Sequence, residues 1–226
     1  MTLLITLVAV SLIVYFGSGL IKKYPVVFYL LAVALGVAYI LFRFFIVYNP
    51  FAIAALQVIQ KGLIAYVLFA IVMFIGVLAE TSKLKERLYP IRAELSLLGC
   101  LFALGHIAGY LTSYLTTFIR DSGAIPTPVF ISILVSLSSF VLLLVLGITT
   151  FAFVRSRMNP IAWKRVQRIS YVFFALIYLH MLLMLVPTIK NGALETILAV
   201  IIYTVIFVAY VVLRIRKAAK DRKVIQ

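Results

Sequence analysis

Acid is what this chain has least of. Among 226 residues, six aspartates and glutamates stand against 21 lysines and arginines. So few carboxylates argue against a proton-coupled transporter, which needs acids inside the membrane. Cysteine is scarcer still. Cys100 stands alone, so no intrachain disulfide can form, and no Cys-x-x-Cys pair is present for a zinc or iron–sulfur centre. Glycine-rich phosphate loops and the nicotinamide fingerprint are missing, so the chain cannot by itself take electrons from NAD(P)H. Long polar stretches are missing too, and with them any place for a soluble domain.

What is present is hydrocarbon. The chain is 65% hydrophobic and 12% charged, with a mean hydropathy of +1.22. That composition implies an all-α polytopic membrane helix bundle embedded in a lipid bilayer. The net charge of +15 would suggest nucleic acid in a soluble protein. Here the cations cluster between apolar runs, where the charge bias of membrane loops explains them, and no nucleic-acid partner is expected.

Seven apolar runs are long enough to cross: about 1–21, 25–48, 57–79, 93–118, 128–154, 164–187 and 194–214. The third is the weakest, because Gln57, Gln60 and Lys61 crowd its start. The first lacks a basic region before it and is followed by Lys22 and Lys23, so it reads as a retained helix rather than a cleaved signal. Alternation of seven spans places seventeen cations on one side, from Lys22 to Lys223, and only Arg43, Lys61, Arg120 and Lys190 on the other. The expectation is a multi-pass protein of the inner (plasma) membrane, N-terminus outside and C-terminus cytoplasmic. Three parts follow: two additional N-terminal helices over 1–55, a core with its final helix over 56–215, and a basic cytoplasmic tail over 216–226.

The two histidines, His106 and His180, carry the functional argument. Each lies deep in a separate apolar run, where an imidazole is costly unless something binds it. Both runs travel in the same direction, and both residues fall between the midplane and the outer face. Two imidazoles from facing helices could hold a metal macrocycle from both sides. Gly99, Gly105 and Gly109 flank His106 and would leave room on the helix surface for a porphyrin edge. Phe173, Phe174, Leu176, Ile177 and Met184 surround His180. Tyr110 and Tyr178 lie near the histidines and could donate to a propionate or a quinone. Spacing alone leaves three roles open: haem ligation, a structural or proton-relay role, and another metal. Zinc is the weakest, since two imidazoles with no nearby carboxylate make a poor site. Met181 and Met184 read as packing. Trp163 reads as an interface anchor. Glu80 and Glu94 are expected to pair with Arg92, Arg165 or Arg168.

One stretch adds a resemblance. The segment GITTFAFVRSRMNPIAWKRVQRISYVFFALIYLH, from Gly147 to His180, resembles the haem-binding core of the ferric reductase-like transmembrane family. Within that family it is similar to the haem-binding membrane subunit of the bacterial periplasmic methionine sulfoxide reductase system. The family pattern places Thr-Ser near one helix end, then an arginine, then Trp-x-x-Leu-His-Arg-Leu-x-Tyr, then a second histidine 13 residues after the first. Thr149 and Thr150, Arg155 or Arg157, and Trp163, Lys164, Arg165, Arg168 and Tyr171 answer it, and His180 matches the second histidine. Upstream, IRAELSLLGCLFALGHIAGYL resembles the preceding ligand helix, with Arg92, Leu95, Ala103, His106 and Tyr110 in register. Gly62 and the run to Ala79 look like the helix before that. The resemblance covers about 57–187.

Gln167 departs from the pattern, standing where the first histidine of the pair belongs. The resemblance therefore implies one b-type haem per chain, between His106 and His180, and no ordinary second haem near Gln167 and Arg168. A quinone or flavin could serve that inner position. The implied function is an electron-transfer subunit of an oxidoreductase. Electrons would pass from the quinone pool or an inner-side donor to an extracytoplasmic reductase or flavoprotein subunit, or to a ferric acceptor. A haem-free transporter and a structural membrane anchor are the competing expectations.

Overall fold

The computed structural model describes residues 2–42, 50–121, 123, 125–189 and 193–225. The helices are α1 (Thr2–Lys23), α2 (Pro25–Phe42), α3 (Pro50–Gln60), α4 (Leu63–Ile75), α5 (Lys83–Leu88), α6 (Arg92–Arg120), α7 (Thr127–Thr150), α8 (Ala152–Arg155), α9 (Pro160–Gln167), α10 (Ser170–Ile189) and α11 (Leu194–Ile225). A 3-10 turn, Tyr89–Ile91, joins α5 to α6. In hydrocarbon every backbone N–H and C=O needs a partner within the protein, which is why apolar runs of this length become helices. Proline opens α2, α3 and α9, where its missing N–H is not needed. Asn159 caps α9, its side-chain oxygen accepting from the Ile161 N–H at 2.8 Å.

Six helical stretches are long and apolar enough to cross a membrane: α1, α2, α5–α6, α7, α9–α10 and α11. The expected third span, 57–79, takes another form. It is broken at Lys61–Gly62 into α3 and α4, and Gly62 adopts a left-handed conformation (φ 65°, ψ 20°). α4 has 13 residues, about 20 Å at 1.5 Å per residue, too little to cross alone. The cause is local. Gly62 has no Cβ and tolerates positive φ, so the helix turns there instead of continuing. Arg43 and Lys190, two of the four cations expected opposite the basic side, lie outside the described residues.

α4 is the centre of the bundle. Ten of its residues are buried, and Val67 is fully so. Three packed clusters share it. Tyr66, Val67, Ala70 and Met73 meet Leu3 of α1, Phe174 of α10, and Tyr203 and Tyr210 of α11. Leu68, Val72 and Ile75 meet Val14 and Ile21 of α1, Ala32 of α2, and Leu95 and Leu98 of α6. Ala65 and Phe69 meet Leu143 and Leu146 of α7 and Phe173 of α10. Between membrane helices this close fit, rather than escape from water, drives association. α1 and α2 thus belong to the same bundle as the rest, and the expected boundary near residue 55 falls inside α3.

The cation-bearing loops gather at one end of the bundle. Arg87 donates to the Ser18 hydroxyl at 3.0 Å, with its guanidinium 4.3 Å over the Tyr15 ring. Arg214 lies 4.9 Å over Tyr171. Glu80 pairs differently from expectation, with Lys85 at 2.5 Å and with Lys217 at 3.0 Å. Lys217 also donates to the Leu78 carbonyl at 3.4 Å. The two ammonium groups, Lys85 first, hold the Glu80 carboxyl down at about 2. Glu94 makes no ion pair with Arg92, Arg165 or Arg168 among the described residues, and its buried Oε2 has no hydrogen-bond partner there. The expected basic tail is not a separate element. It is the last part of α11, one helix of 32 residues.

Candidate functional site

His106 is the fifteenth residue of α6, about 21 Å from its start, and His180 the eleventh of α10. One packed cluster touches both helices beside them. Ala103 and Ile107, on either side of His106, and Ile177, one turn before His180, pack on the group formed by Phe69, Leu143, Leu146 and Phe173.

The hydrogen bonds decide which ring nitrogens are free. His106 Nδ1 lies 2.5 Å from the Gln60 carbonyl oxygen. A carbonyl only accepts, so Nδ1 carries the proton and Nε2 keeps its lone pair. The acceptor exists because of the helix break. Around Gly62 the Lys61 N–H goes to Gln57, the Gly62 N–H to Ile59 and the Tyr66 N–H to Gly62, which leaves the Gln60 carbonyl to His106. Gly62 also sits under the ring. A Cβ there would come within 3.2 Å of His106 Cγ and Nδ1.

His180 is held by α7. Its Nδ1 lies 2.8 Å from the Ser132 hydroxyl and 3.2 Å from the Ser132 carbonyl. The Ser132 hydroxyl in turn donates to the His180 carbonyl at 3.2 Å. With its proton directed there, the hydroxyl oxygen accepts from Nδ1–H, and the carbonyl can do nothing else. His180 Nε2 is thus also unprotonated. Histidines that donate one nitrogen to a fixed oxygen and present the other are the donor type metal sites use. Among the described residues no group of three or more His, Cys, Asp or Glu could hold a bare metal ion. A pair of such imidazoles suits a metal that brings its equatorial ligands with it, as haem does.

The glycines expected to clear room beside His106 are engaged elsewhere. A Cβ on Gly99 would run into the Phe69 ring at 2.8 Å. One on Gly105 would lie 3.5 Å from the Gly36 Cα, because α2 crosses α6 there with backbone nearly touching backbone. Tyr39 fills the space over Gly109. The physical reason is helix packing: a small residue in a membrane helix attracts a neighbour before it leaves a void.

Tyr110 sets its ring 5.1 Å from that of His106 and stacks on Tyr114 at 5.8 Å. Tyr178 turns to α11 instead. Its hydroxyl is 3.0 Å from the Thr204 hydroxyl, and its ring stacks on Phe207 at 4.3 Å.

At the cation-rich end, residues that match the family pattern meet in space. Trp163 donates from Nε1 to the Thr149 carbonyl at 2.9 Å. Gln167 donates from Nε2 to the Thr149 hydroxyl at 3.0 Å. Arg155 lies 4.4 Å over the Trp163 ring. Arg168, expected beside them, is exposed at the joint between α9 and α10. Gln167 thus clasps α9 to α7.

Sequence reasoning passed over Ser132 and the contacts that Gln60 and Gly62 make with the His106 ring. The signals were there: a serine inside an apolar run, and a Gln-Lys-Gly interruption in the weakest span.

Comparison with known proteins supports the same grouping. The chain matches the ferric reductase like transmembrane component family over residues 61–178, which takes in His106 and stops two residues before His180. It is 33% identical over 229 residues to an uncharacterized protein of Treponema pallidum (strain Nichols). That alignment covers 99% of this chain and 62% of the relative's length. No solved structure matches. A family match over more than half of the chain, with the tryptophan and threonines of its pattern joined in space, makes this protein a member of the ferric reductase like transmembrane family.

Proposed function

We propose that this chain is a membrane electron-transfer subunit that holds one b-type haem between His106 and His180. The observation that supports it most is the pair of fixed tautomers: each Nδ1–H is committed to an oxygen, which leaves each Nε2 lone pair available to a metal. When bound, haem would supply a one-electron couple with no open coordination position, which suits relay rather than oxygen chemistry. The chain's own residues do the rest. α4 and its clusters set the spacing between α6 and α10, the Gln60 carbonyl and Ser132 orient the imidazoles, and the apolar walls exclude water.

The same reading places the protein in the inner membrane with its cation-rich end cytoplasmic. The histidines then lie toward the outer face, and the acceptor is an extracytoplasmic reductase, a flavoprotein subunit or a ferric complex. Resemblance to the methionine sulfoxide reductase membrane subunit favours a periplasmic oxidoreductase. The donor is a quinol entering from lipid or an inner-side cofactor, because Gln167 offers no imidazole on the inner path.

A second reading, a haem-free anchor, draws on the glycine faces. Phe69, Gly36 and Tyr39 already cover the surface beside His106. A pyridine haemochromogen assay on the purified full chain, with oxidised and dithionite-reduced spectra, separates the two. One b haem per chain with a low-spin reduced spectrum is expected. No haem in folded protein from haem-replete cells would move the assignment to the anchor.

A further inference from the structure

We infer that Ser132 is a positioning residue for His180, fixing the tautomer and the ring angle with which that histidine presents Nε2. This rests on the haem reading above and deepens it.

The argument begins with what serines normally do on this helix. In hydrocarbon a serine hydroxyl usually returns to a carbonyl of its own helix. On α7, Ser136 bonds to Ile133, Ser138 to Leu134 and Ser139 to Val135, each within α7. Ser132 does not. It is fully buried, and its hydroxyl leaves α7 for α10. There it touches two points of one residue: Nδ1 at 2.8 Å and the His180 carbonyl at 3.2 Å. Adding the Ser132 carbonyl at 3.2 Å makes a three-contact clamp. A ring tied to its own backbone through a third group cannot rotate about its side-chain bonds without breaking a hydrogen bond. The His106 ring is held differently, by the main-chain oxygen of Gln60.

The chemical consequence is directional. An acceptor on Nδ1–H makes the imidazole a stronger electron donor through Nε2, which favours ferric over ferrous iron and lowers the potential. Removing the Ser132 hydroxyl weakens that donation, so the potential rises and the group is held less firmly.

The test uses the full chain in lipid nanodiscs as wild type, Ser132→Ala and Ser139→Ala. Ser139 is a buried serine on the same helix that stays within it, so its loss controls for removal of a hydroxyl as such. With b haem bound, Ser132→Ala is expected to raise the midpoint potential and speed haem release by about tenfold or more. Ser139→Ala should match wild type in both. Equal midpoints and release rates for Ser132→Ala and wild type would overturn the inference, as would an equal shift in Ser139→Ala. Failure of the parent reading looks different: the wild type itself then carries no haem. In that case the haem-free chain, labelled with ¹⁵N-histidine, still decides the matter. A shifted Nδ1 resonance at one imidazole in Ser132→Ala and not in Ser139→Ala, where only the 3.2 Å main-chain acceptor remains to His180 in the former, supports the clamp, and an unchanged spectrum sinks it.

Discussion

His106 and His180 are alike in the ring nitrogen they engage and opposite in what supports it. His106 is held by main chain, through a carbonyl that a broken helix sets free. His180 is held by a side chain on an unbroken one. The first arrangement depends on one backbone conformation at Gly62. The second depends on one hydroxyl and leaves α7 and α10 regular. Two routes thus reach one chemical result, a free Nε2, and each has a different weak point.

The largest expected effect comes from removing either ring. His106→Ala and His180→Ala should each abolish haem binding, since a lone axial imidazole in an apolar pocket holds the group poorly. A normal six-coordinate spectrum in either variant would end the ligand assignment. Next comes the backbone route. Gly62→Ala demands positive φ from an L-residue and places a methyl against the His106 ring, at a cost of about 2 kcal/mol. Thermal unfolding in detergent should show that loss, together with lower haem occupancy. An unchanged melting temperature would mean that the break does not need glycine.

Gln167→His sharpens the contrast from the other side. It restores the imidazole that the family pattern places there, yet His106 and His180 are the chain's own two histidines, and the proposal above uses both. Stoichiometry should therefore stay at one haem per chain; two would reveal an opposing ligand supplied by another group or another copy. The smallest effect belongs to Glu80. Its carboxyl, depressed to about 2 by Lys85 and Lys217, adds stability at pH values above the ordinary carboxylate range and loses it as pH falls toward 2. Because Glu80 is exposed, salt screens the contribution. Melting curves of Glu80→Gln should lack the wild-type decline between pH 5 and pH 3, and added salt should narrow the difference (both pH values are set by the usual carboxylate range, roughly 4). Parallel curves for the two proteins would remove Glu80 from the acid response.

The long helices were legible because hydropathy alone reports them. The placing of the two histidines inside separate long helices was legible, because each interrupts an apolar run; their role was not. The third span was misjudged for a physical reason: its apolar residues continue through a turn that only Gly62 makes possible, and hydropathy does not sense φ. The glycines by His106 were misread for another. Sequence shows that Gly105 and Gly109 are small but not that Gly36 and Tyr39 lie opposite, since that depends on how α2 crosses α6. Thr149, Trp163 and Gln167 were legible as a motif; their hydrogen bonds required the fold.

The short, enclosed α4 also constrains biogenesis. Thirteen residues are too few to halt a nascent chain in the bilayer by hydrophobicity alone. Released early into lipid, the Lys61–Gly62 interruption would expose backbone polar groups at several kcal/mol each, by order of magnitude. The donor to the Gln60 carbonyl, His106 Nδ1–H, arrives with α6, more than 40 residues later, and the walls around Phe69 and Tyr66 arrive only with α7, α10 and α11. This segment must therefore wait beside the insertion machinery until later helices emerge. A chain truncated after α6 should be a substrate for membrane quality-control proteolysis.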